Sequence, residues 1–142
     1  MNRIERCGEK DYQTLAEIWE RSVRASHAFL SEKDIEEIRE ALIPVYFQGV
    51  ELYGIVDGDA LAGFIGVSGK NIEMLFVDDG MMGKGLGKQL VDYAKGLGAE
   101  TVEVNEQNPR ALKFYVANGF RVVGREEQDG EGRPFPILFL SL

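Results

Sequence analysis

The chain of 142 residues is long enough for one domain with a sizeable core, and its 44% hydrophobic and 28% charged residues are ordinary for a globular protein. The net charge of −8 argues against a nucleic-acid partner, and no apolar run approaches the roughly 18 residues of a membrane span. Because Met1–Arg6 lacks the apolar core of a signal peptide and the single Cys7 cannot form an internal disulfide, we expect a cytoplasmic location.

The first third of the chain predicts an edge strand followed by two helices. Arg3–Arg6 alternates apolar with polar residues, as an edge strand does. Apolar residues then recur at helical spacing from Asp11 to near Ser26, which predicts a helix with one buried face. Ser31 is a typical cap for a second helix, and Pro44 predicts that this helix bends or ends. The two apolar stripes consist of Leu15, Ile18, Trp19 and Val23, then Ile35, Ile38 and Leu42.

Strands and turns dominate the middle of the chain. Leu52–Val56 and Leu61–Val67 flank the turn Asp57–Asp59, a combination that predicts a hairpin. A second turn at Gly69–Asn71 leads into a strand at Ile72–Val77. The later elements are predicted as a helix at Leu86–Leu97, a strand at Thr101–Val104, a helix at Asn108–Asn118, and a hairpin of Phe120–Val123 with Phe135–Leu140 around the turn Gln128–Gly132. This order predicts one mixed α/β (α+β) domain over residues 1–142, with seven strands and four helices.

A glycine-rich turn between the fourth strand and the third helix predicts a phosphate site. Over Gly83–Gly87 every second residue is glycine, so consecutive backbone N–H groups can face one anion beside the N-terminus of the next helix. The turn is not a P-loop, because Lys84 is followed by Gly85 rather than Ser or Thr. Nor is it a dinucleotide fingerprint, whose third glycine is replaced by Lys88. On this motif alone, a glycine turn without a ligand stays possible.

The last predicted helix carries a second possible binding surface. Asn108, Ala111 and Tyr115 stand at i, i+3 and i+7, so they share one face about 10 Å long. A small residue between two polar ones leaves a groove where a ligand can lie. Each residue also has an ordinary structural interpretation, since Asn is a common helix cap and Tyr at a helix end commonly packs.

Together these segments resemble a known family. The strand with Leu75–Val77, the glycine loop, a strand ending in Asn105, the Asn-x-x-Ala-x-x-x-Tyr helix and Asn118–Phe120 are similar to the acetyl-CoA half of GNAT-superfamily N-acetyltransferases. The detailed resemblance covers Ile72–Phe120, and the order of elements fits the whole chain. It implies a single GNAT-like domain, α/β (α+β), with a mixed, mostly antiparallel central sheet of about seven strands flanked by four helices.

The resemblance also implies an activity. We expect an acetyl-CoA-dependent N-acetyltransferase that moves an acetyl group to a primary amine of a small molecule or peptide by direct attack in a ternary complex. The alternative is a non-catalytic acyl-CoA-binding or sensing domain of the same fold. We expect a monomer or homodimer without a nucleic-acid or membrane partner, and no metal, because a lone His among scattered carboxylates lacks ligand spacing.

The resemblance assigns roles on the cofactor side. It implies that Tyr115 is the general acid for the leaving thiolate, whose ordinary pKa of about 8.5 lies below the phenol's of about 10. Met82 stands where the family usually has Arg or Gln, which removes a side-chain contact to the cofactor. The implied cofactor-binding residues are Leu75, Phe76 and Val77 for the pantetheine arm, Gly83, Lys84, Gly85, Leu86, Gly87 and Lys88 for the pyrophosphate, and Asn108 for the CoA arm.

The sequence indicates fewer residues for binding and deprotonating the acceptor amine. Glu73 is the expected catalytic base, because strand alternation places it on the face of Leu75 and Val77; a solvent-facing glutamate is the alternative. His27 and Phe29 lie between the first two helices, in a segment that forms part of the acceptor pocket in this family. We expect both to be substrate-binding residues. The alternatives are that His27 only hydrogen-bonds to a loop carbonyl and that Phe29 packs in the core.

Overall fold

The computed structural model describes residues 2–142, and their backbone forms seven strands and four α-helices. The strands are β1 (Asn2–Arg6), β2 (Glu51–Asp57), β3 (Ala60–Ser68), β4 (Asn71–Val77), β5 (Thr101–Asn105), β6 (Arg121–Glu126) and β7 (Ile137–Ser141). The helices are α1 (Tyr12–Ser26), α2 (Glu32–Ala41), α3 (Leu86–Gly96) and α4 (Pro109–Ala117). The predicted seven strands and four helices are confirmed.

All seven strands belong to one sheet in the order β1-β2-β3-β4-β5-β7-β6. Every neighbouring pair is antiparallel except β4 with β5, which are parallel. The long β2–β3–β4 meander follows from the turns at Gly58 and Gly69, which have φ angles of +67° and +58° that favour glycine. The predicted mixed, mostly antiparallel sheet is therefore confirmed.

Two hydrophobic cores lie on opposite faces of this sheet. On one face α1 and α2 cover β2 to β4, with Leu15, Ile18 and Phe64 fully buried. On the other face α3 and α4 cover the central strands, with Leu90 and Val91 fully buried. Removing such side chains from water stabilises the fold by roughly 1.5–3 kcal/mol each.

The helix ends follow the sequence signals closely. The Ser31 hydroxyl accepts the Asp34 backbone N–H at 3.1 Å, and the Asp34 carboxylate accepts the Ser31 N–H in return. After α2 the chain passes through a wide turn at Leu42–Tyr46, because Pro44 cannot continue an α-helical hydrogen-bond pattern. No helix within residues 2–142 is long and apolar enough to cross a membrane.

The final hairpin differs from its prediction. Its second strand begins at Ile137 rather than Phe135, and its first strand extends to Glu126. Pro134 and Pro136 have no backbone N–H to donate to a strand partner, which delays the start of β7. The connection between β6 and β7 is therefore a long loop of residues 127–136.

Candidate active site

The parallel pair β4 and β5 separates soon after it begins. Only Asn71 and Ile72 of β4 are paired with β5, opposite Thr101 and Val102. Beyond that point the two strands diverge, and residues 73–77 of β4 have no strand partner on this side. Their backbone groups face an open gap in the middle of the sheet.

A cleft of about 410 Å³ opens at this gap. It is bounded by β4, the glycine loop, the C-terminal end of α1, the N-terminal turn of α3 and one face of α4. The residues that line it are Ser22, Ser26, His27, Leu75, Phe76, Val77, Met81, Met82, Gly83, Gly85, Leu86, Gly87, Lys88, Asn108, Arg110, Ala111, Phe114 and Tyr115.

The glycine loop reaches the cleft through two left-handed residues. Gly83 and Gly85 have φ angles of +80° and +77°, which residues with a Cβ adopt only at a cost. Gly85 is also the N-cap of α3, so the first unpaired N–H groups of that helix begin beside the cleft. Gly87 serves packing instead, because a Cβ there would lie 3.3 Å from the Phe114 ring.

Helix α4 presents Asn108 and Tyr115 to the same cleft. The Asn108 side-chain oxygen accepts the Ala111 backbone N–H at 3.2 Å and caps the helix. Tyr115 is 6% exposed and packs edge-on against Phe114 and Phe120. Burial raises the pKa of the Tyr115 phenol above its ordinary value, so the hydroxyl keeps its proton.

His27 links the two sides of the cleft through a chain of hydrogen bonds. The Ser26 hydroxyl donates to the Ser22 carbonyl at 2.8 Å, so its oxygen accepts the Nδ1–H of His27 at 2.7 Å. The Nε2 lone pair then accepts the Asn108 side-chain N–H at 3.3 Å. These partners assign the Nδ1–H tautomer, and burial lowers the pKa of the imidazole.

The loop after β6 contacts the segment between α1 and α2, helix α2 itself and the turn that follows α2. The Phe29 ring lies 5.8 Å from the Phe135 ring, centroid to centroid. Arg133 donates to the Glu37 carboxylate at 3.5 Å, and the Tyr46 hydroxyl donates to Glu131 at 3.4 Å. We call this set of contacts the loop bridge.

Most of the predicted site residues come together, but three do not line the cleft. The Lys84 ammonium lies 3.8 Å from the Asp57 carboxylate, outside the cleft. Phe29 packs between His27 and Phe135. Glu73 is exposed, and it has no partner in β3 because the register between β3 and β4 shifts at this point. The expected alternation is therefore wrong: Ile72, not Glu73, packs in the α3-side core with Leu75 and Val77.

A second carboxylate lies near Glu73. Glu103 of β5 has a raised pKa, first because it is partly desolvated and second because of the negative charge on Glu73.

Within the described range no three His, Cys, Asp or Glu side chains are grouped as metal ligands.

Sequence reasoning did not identify several residues of the cleft as part of a site. Ser22 and Ser26 belong to the α1 turn that leads to His27, and Phe114 packs beside Tyr115. Arg110 is the most informative of these residues, because it stands two positions after Asn108 and carries a charge. Its position inside the Asn-x-x-Ala motif, two residues from the predicted cofactor contact Asn108, is the feature of the sequence that indicates a role in the site.

Comparison with known proteins agrees with this geometry. The family model described as an acetyltransferase (GNAT) domain matches residues 14–136. The chain is 38% identical over 141 residues to the peptidyl-lysine N-acetyltransferase YjaB of Salmonella typhimurium strain LT2, covering 99% of this chain and 97% of that protein.

Solved structures give the same result. The solution structure of apo-form YjaB from Escherichia coli superposes with a TM-score of 0.91 at 36% identity, covering 99% of this chain and 97% of that one. The PaiA N-acetyltransferase of Thermoplasma acidophilum, solved in complex with coenzyme A, has a TM-score of 0.73 at 25% identity and covers 100% and 99% of the two chains.

Proposed function

The chain belongs to the GNAT acetyltransferase family and is an acyltransferase, and from that premise we propose that it transfers an acetyl group from acetyl-CoA to a primary amine by direct attack in a ternary complex. One observation carries the proposal. The gap beside β4, the glycine loop and Tyr115 border a single cleft.

The cleft has the chemistry that acetyl-CoA requires. The backbone groups of β4 beyond Ile72 have no partner in β5 and can pair with the amide groups of a pantetheine arm. The left-handed Gly83 and Gly85 leave the loop's N–H groups open to a pyrophosphate beside the N-terminus of α3. Asn108 lies between these two regions and can contact the arm.

When bound, acetyl-CoA supplies an acetyl group on a thioester, which an amine attacks with loss of the thiolate. A β4 backbone N–H that points into the gap can donate to the carbonyl oxygen as negative charge develops there. Tyr115 holds its proton on the phenol oxygen because burial raises its pKa. We propose that this proton goes to the departing sulfur, so that the thiol leaves neutral.

For the acceptor, we propose a lysine amine of a peptide, with small-molecule amines as the wider class. The similarity to proteins named peptidyl-lysine N-acetyltransferase supports this choice. A lysine has an ordinary pKa of about 10.4 and must lose a proton before it attacks. Glu73 remains our proposed base, reached directly or through water, with Glu103 beside it as the alternative. His27 and Phe29 remain proposed acceptor contacts.

The test separates binding from turnover. Tyr115→Phe removes one oxygen and keeps the ring, so we expect acetyl-CoA to bind by calorimetry with little change. Release of free thiol with a lysine peptide should fall roughly 100-fold or more. Tyr93→Phe, on the outer face of α3, is the matched control and should turn over normally.

Two other outcomes would overturn parts of the proposal. If the wild type binds acetyl-CoA but releases no thiol with any amine, the chain is the non-catalytic acyl-CoA-binding domain of the alternative. If Tyr115→Phe turns over as fast as the wild type, another group protonates the sulfur.

The cytoplasmic location and the lack of a nucleic-acid partner stay predictions that rest on Cys7 and on the net charge of −8.

A further inference from the structure

The charged residues that line the cleft are basic, whereas the protein as a whole has a net charge of −8. The chain has 24 Asp and Glu residues against 16 Lys and Arg, yet no residue that lines the cleft within the described chain is acidic. The charged side chains in the lining are Lys88 and Arg110, and both are basic. A cleft of this kind attracts an anion to a protein whose net charge otherwise repels one.

The two cations differ in how free they are to bind a ligand. Lys88 donates to the Asp92 carboxylate one turn further along α3, at 2.8 Å. Arg110 has no carboxylate within 4.0 Å among residues 2–142, although nearly every other arginine described is ion-paired. The paired arginines are Arg3, Arg6, Arg21, Arg24, Arg39, Arg125 and Arg133.

The glycine loop itself brings no free cation into the cleft. Met82 lines the cleft with a neutral thioether directly before the first loop glycine. Lys84, the basic residue of the loop, lies 3.8 Å from Asp57 and does not line the cleft. A side-chain cation for a phosphate therefore comes from outside the loop, from Lys88 or Arg110.

We propose that Arg110 supplies the side-chain cation that binds a phosphate group of coenzyme A, in place of the neutral Met82. This inference rests on the proposed function. Arg110 is exposed in the first turn of α4, where its guanidinium can turn toward the cleft without a cost in packing. A guanidinium can donate two parallel hydrogen bonds to one phosphate, which a lysine cannot.

The experiment compares two charge-neutralising changes on the same helix. Arg110→Gln should weaken coenzyme A binding about 10- to 100-fold by calorimetry. Lys113→Gln makes the same change in net charge at an exposed position of α4 that does not line the cleft, and it should weaken binding less than about 3-fold. Equal thermal unfolding midpoints of the two variants check that both are folded.

A double variant tests whether a cation at position 82 can replace Arg110. In the Arg110→Gln background, Met82→Arg should recover most of the lost affinity. Dephospho-coenzyme A then identifies the phosphate: the effect of Arg110→Gln disappears with this ligand if Arg110 binds the 3′-phosphate, and it persists if Arg110 binds the pyrophosphate. Either result supports the inference.

The failures can be told apart. If the wild type binds coenzyme A and Arg110→Gln binds no more weakly than Lys113→Gln, the role of Arg110 is overturned while the proposed function stands. If the wild type does not bind coenzyme A at all, the proposed function is overturned and this inference with it.

Discussion

His27 is a residue whose protonation state is set by its neighbours. Nδ1 donates to Ser26, and Nε2 accepts from Asn108, so neither nitrogen is left to take a proton without breaking a contact. Protonation would set an N–H of the ring against the N–H of Asn108. Asn108 also caps α4 through Ala111, and His27 is therefore connected to the orientation of the helix that carries Tyr115.

This connection predicts a pH dependence of stability. The folded-state pKa of His27 is lowered from its ordinary 6.5, so below that pH the unfolded chain binds the proton more readily than the folded chain. The free energy of unfolding should therefore be fully present above about pH 7 and should decrease as the pH falls through 6.5. Urea unfolding at pH 7.5 and 5.5 measures the decrease.

His27→Gln is the control for that experiment, because a glutamine can accept from Asn108 but does not titrate. It should lose less stability than the wild type between the two pH values. The carboxylates with lowered pKa values, such as Asp78 beside Arg21, respond at more acidic pH and affect both proteins equally. An identical loss in both would show that His27 is not responsible.

Separate substitutions of Glu73 and Glu103 should show which carboxylate acts as the base. Glu73→Gln should reduce kcat/KM for a lysine peptide roughly 100- to 10,000-fold and leave the Kd for acetyl-CoA unchanged. It should also lower the pKa of Glu103, since the Glu73 charge is one of the two causes that raise it. A pH–rate profile of each Glu→Gln variant is the measurement. A loss confined to Glu103→Gln would transfer the role of base to β5.

At the N-terminus of α3, the φ angle of Gly85 shapes the loop that borders the cleft. Gly85 caps the helix at a φ of +77°, whereas Gly96 at its last turn has no such angle, and neither would place a Cβ within 4 Å of another group. Gly85→Ala should lower the free energy of unfolding by about 1–2 kcal/mol and weaken acetyl-CoA binding. Gly96→Ala should be neutral or slightly stabilising. Chemical denaturation and calorimetry on both variants test this, and equal effects would contradict a role for the loop angle.

Periodicity predicted the elements well where one face is buried. Leu15, Ile18, Trp19 and Val23 are all buried, and the helix they predicted ends at Ser26 as expected. Strand alternation failed at Glu73, because a register shift arises from the pairing of two strands and leaves no mark in the strand's own sequence.

The same limit applies to the site. Spacing placed Asn108 and Tyr115 on one face of α4, and both line the cleft. It did not find Ser22 and Ser26, which reach the cleft only because α1 packs beside β4. Lys84 was expected to bind the pyrophosphate, but the conformation of the loop directs it to Asp57. Contacts between distant segments are not encoded in local spacing.

For the whole molecule, we expect the loop bridge to form one wall of the proposed acceptor pocket. Its contacts join residues more than 80 positions apart and hold the β6–β7 loop against α2 and the segments on either side of α2. Phe135→Ala should raise the KM for a lysine peptide roughly 2- to 10-fold by loosening this wall. The Kd for acetyl-CoA should not change.

Tyr46→Phe is the matched control, because it removes one hydrogen bond of the loop bridge and keeps the aromatic ring. We expect a smaller change in KM than for Phe135→Ala. Steady-state kinetics with a lysine peptide and calorimetry with acetyl-CoA are sufficient. A KM that is unchanged in both variants would show that the acceptor does not contact this wall.

The divergence of β4 from β5 also has a consequence for hydrogen exchange. Two residues of β4 are paired with β5, so the amide protons of residues 73–77 that point into the gap have no strand partner there to protect them. A bound pantetheine arm would occupy the position of an additional strand and slow their exchange with deuterated solvent. The amides of β2 and β3, already paired on both sides, should respond little. Deuterium uptake at β4 would then report acetyl-CoA binding in any variant, including those that have lost all turnover.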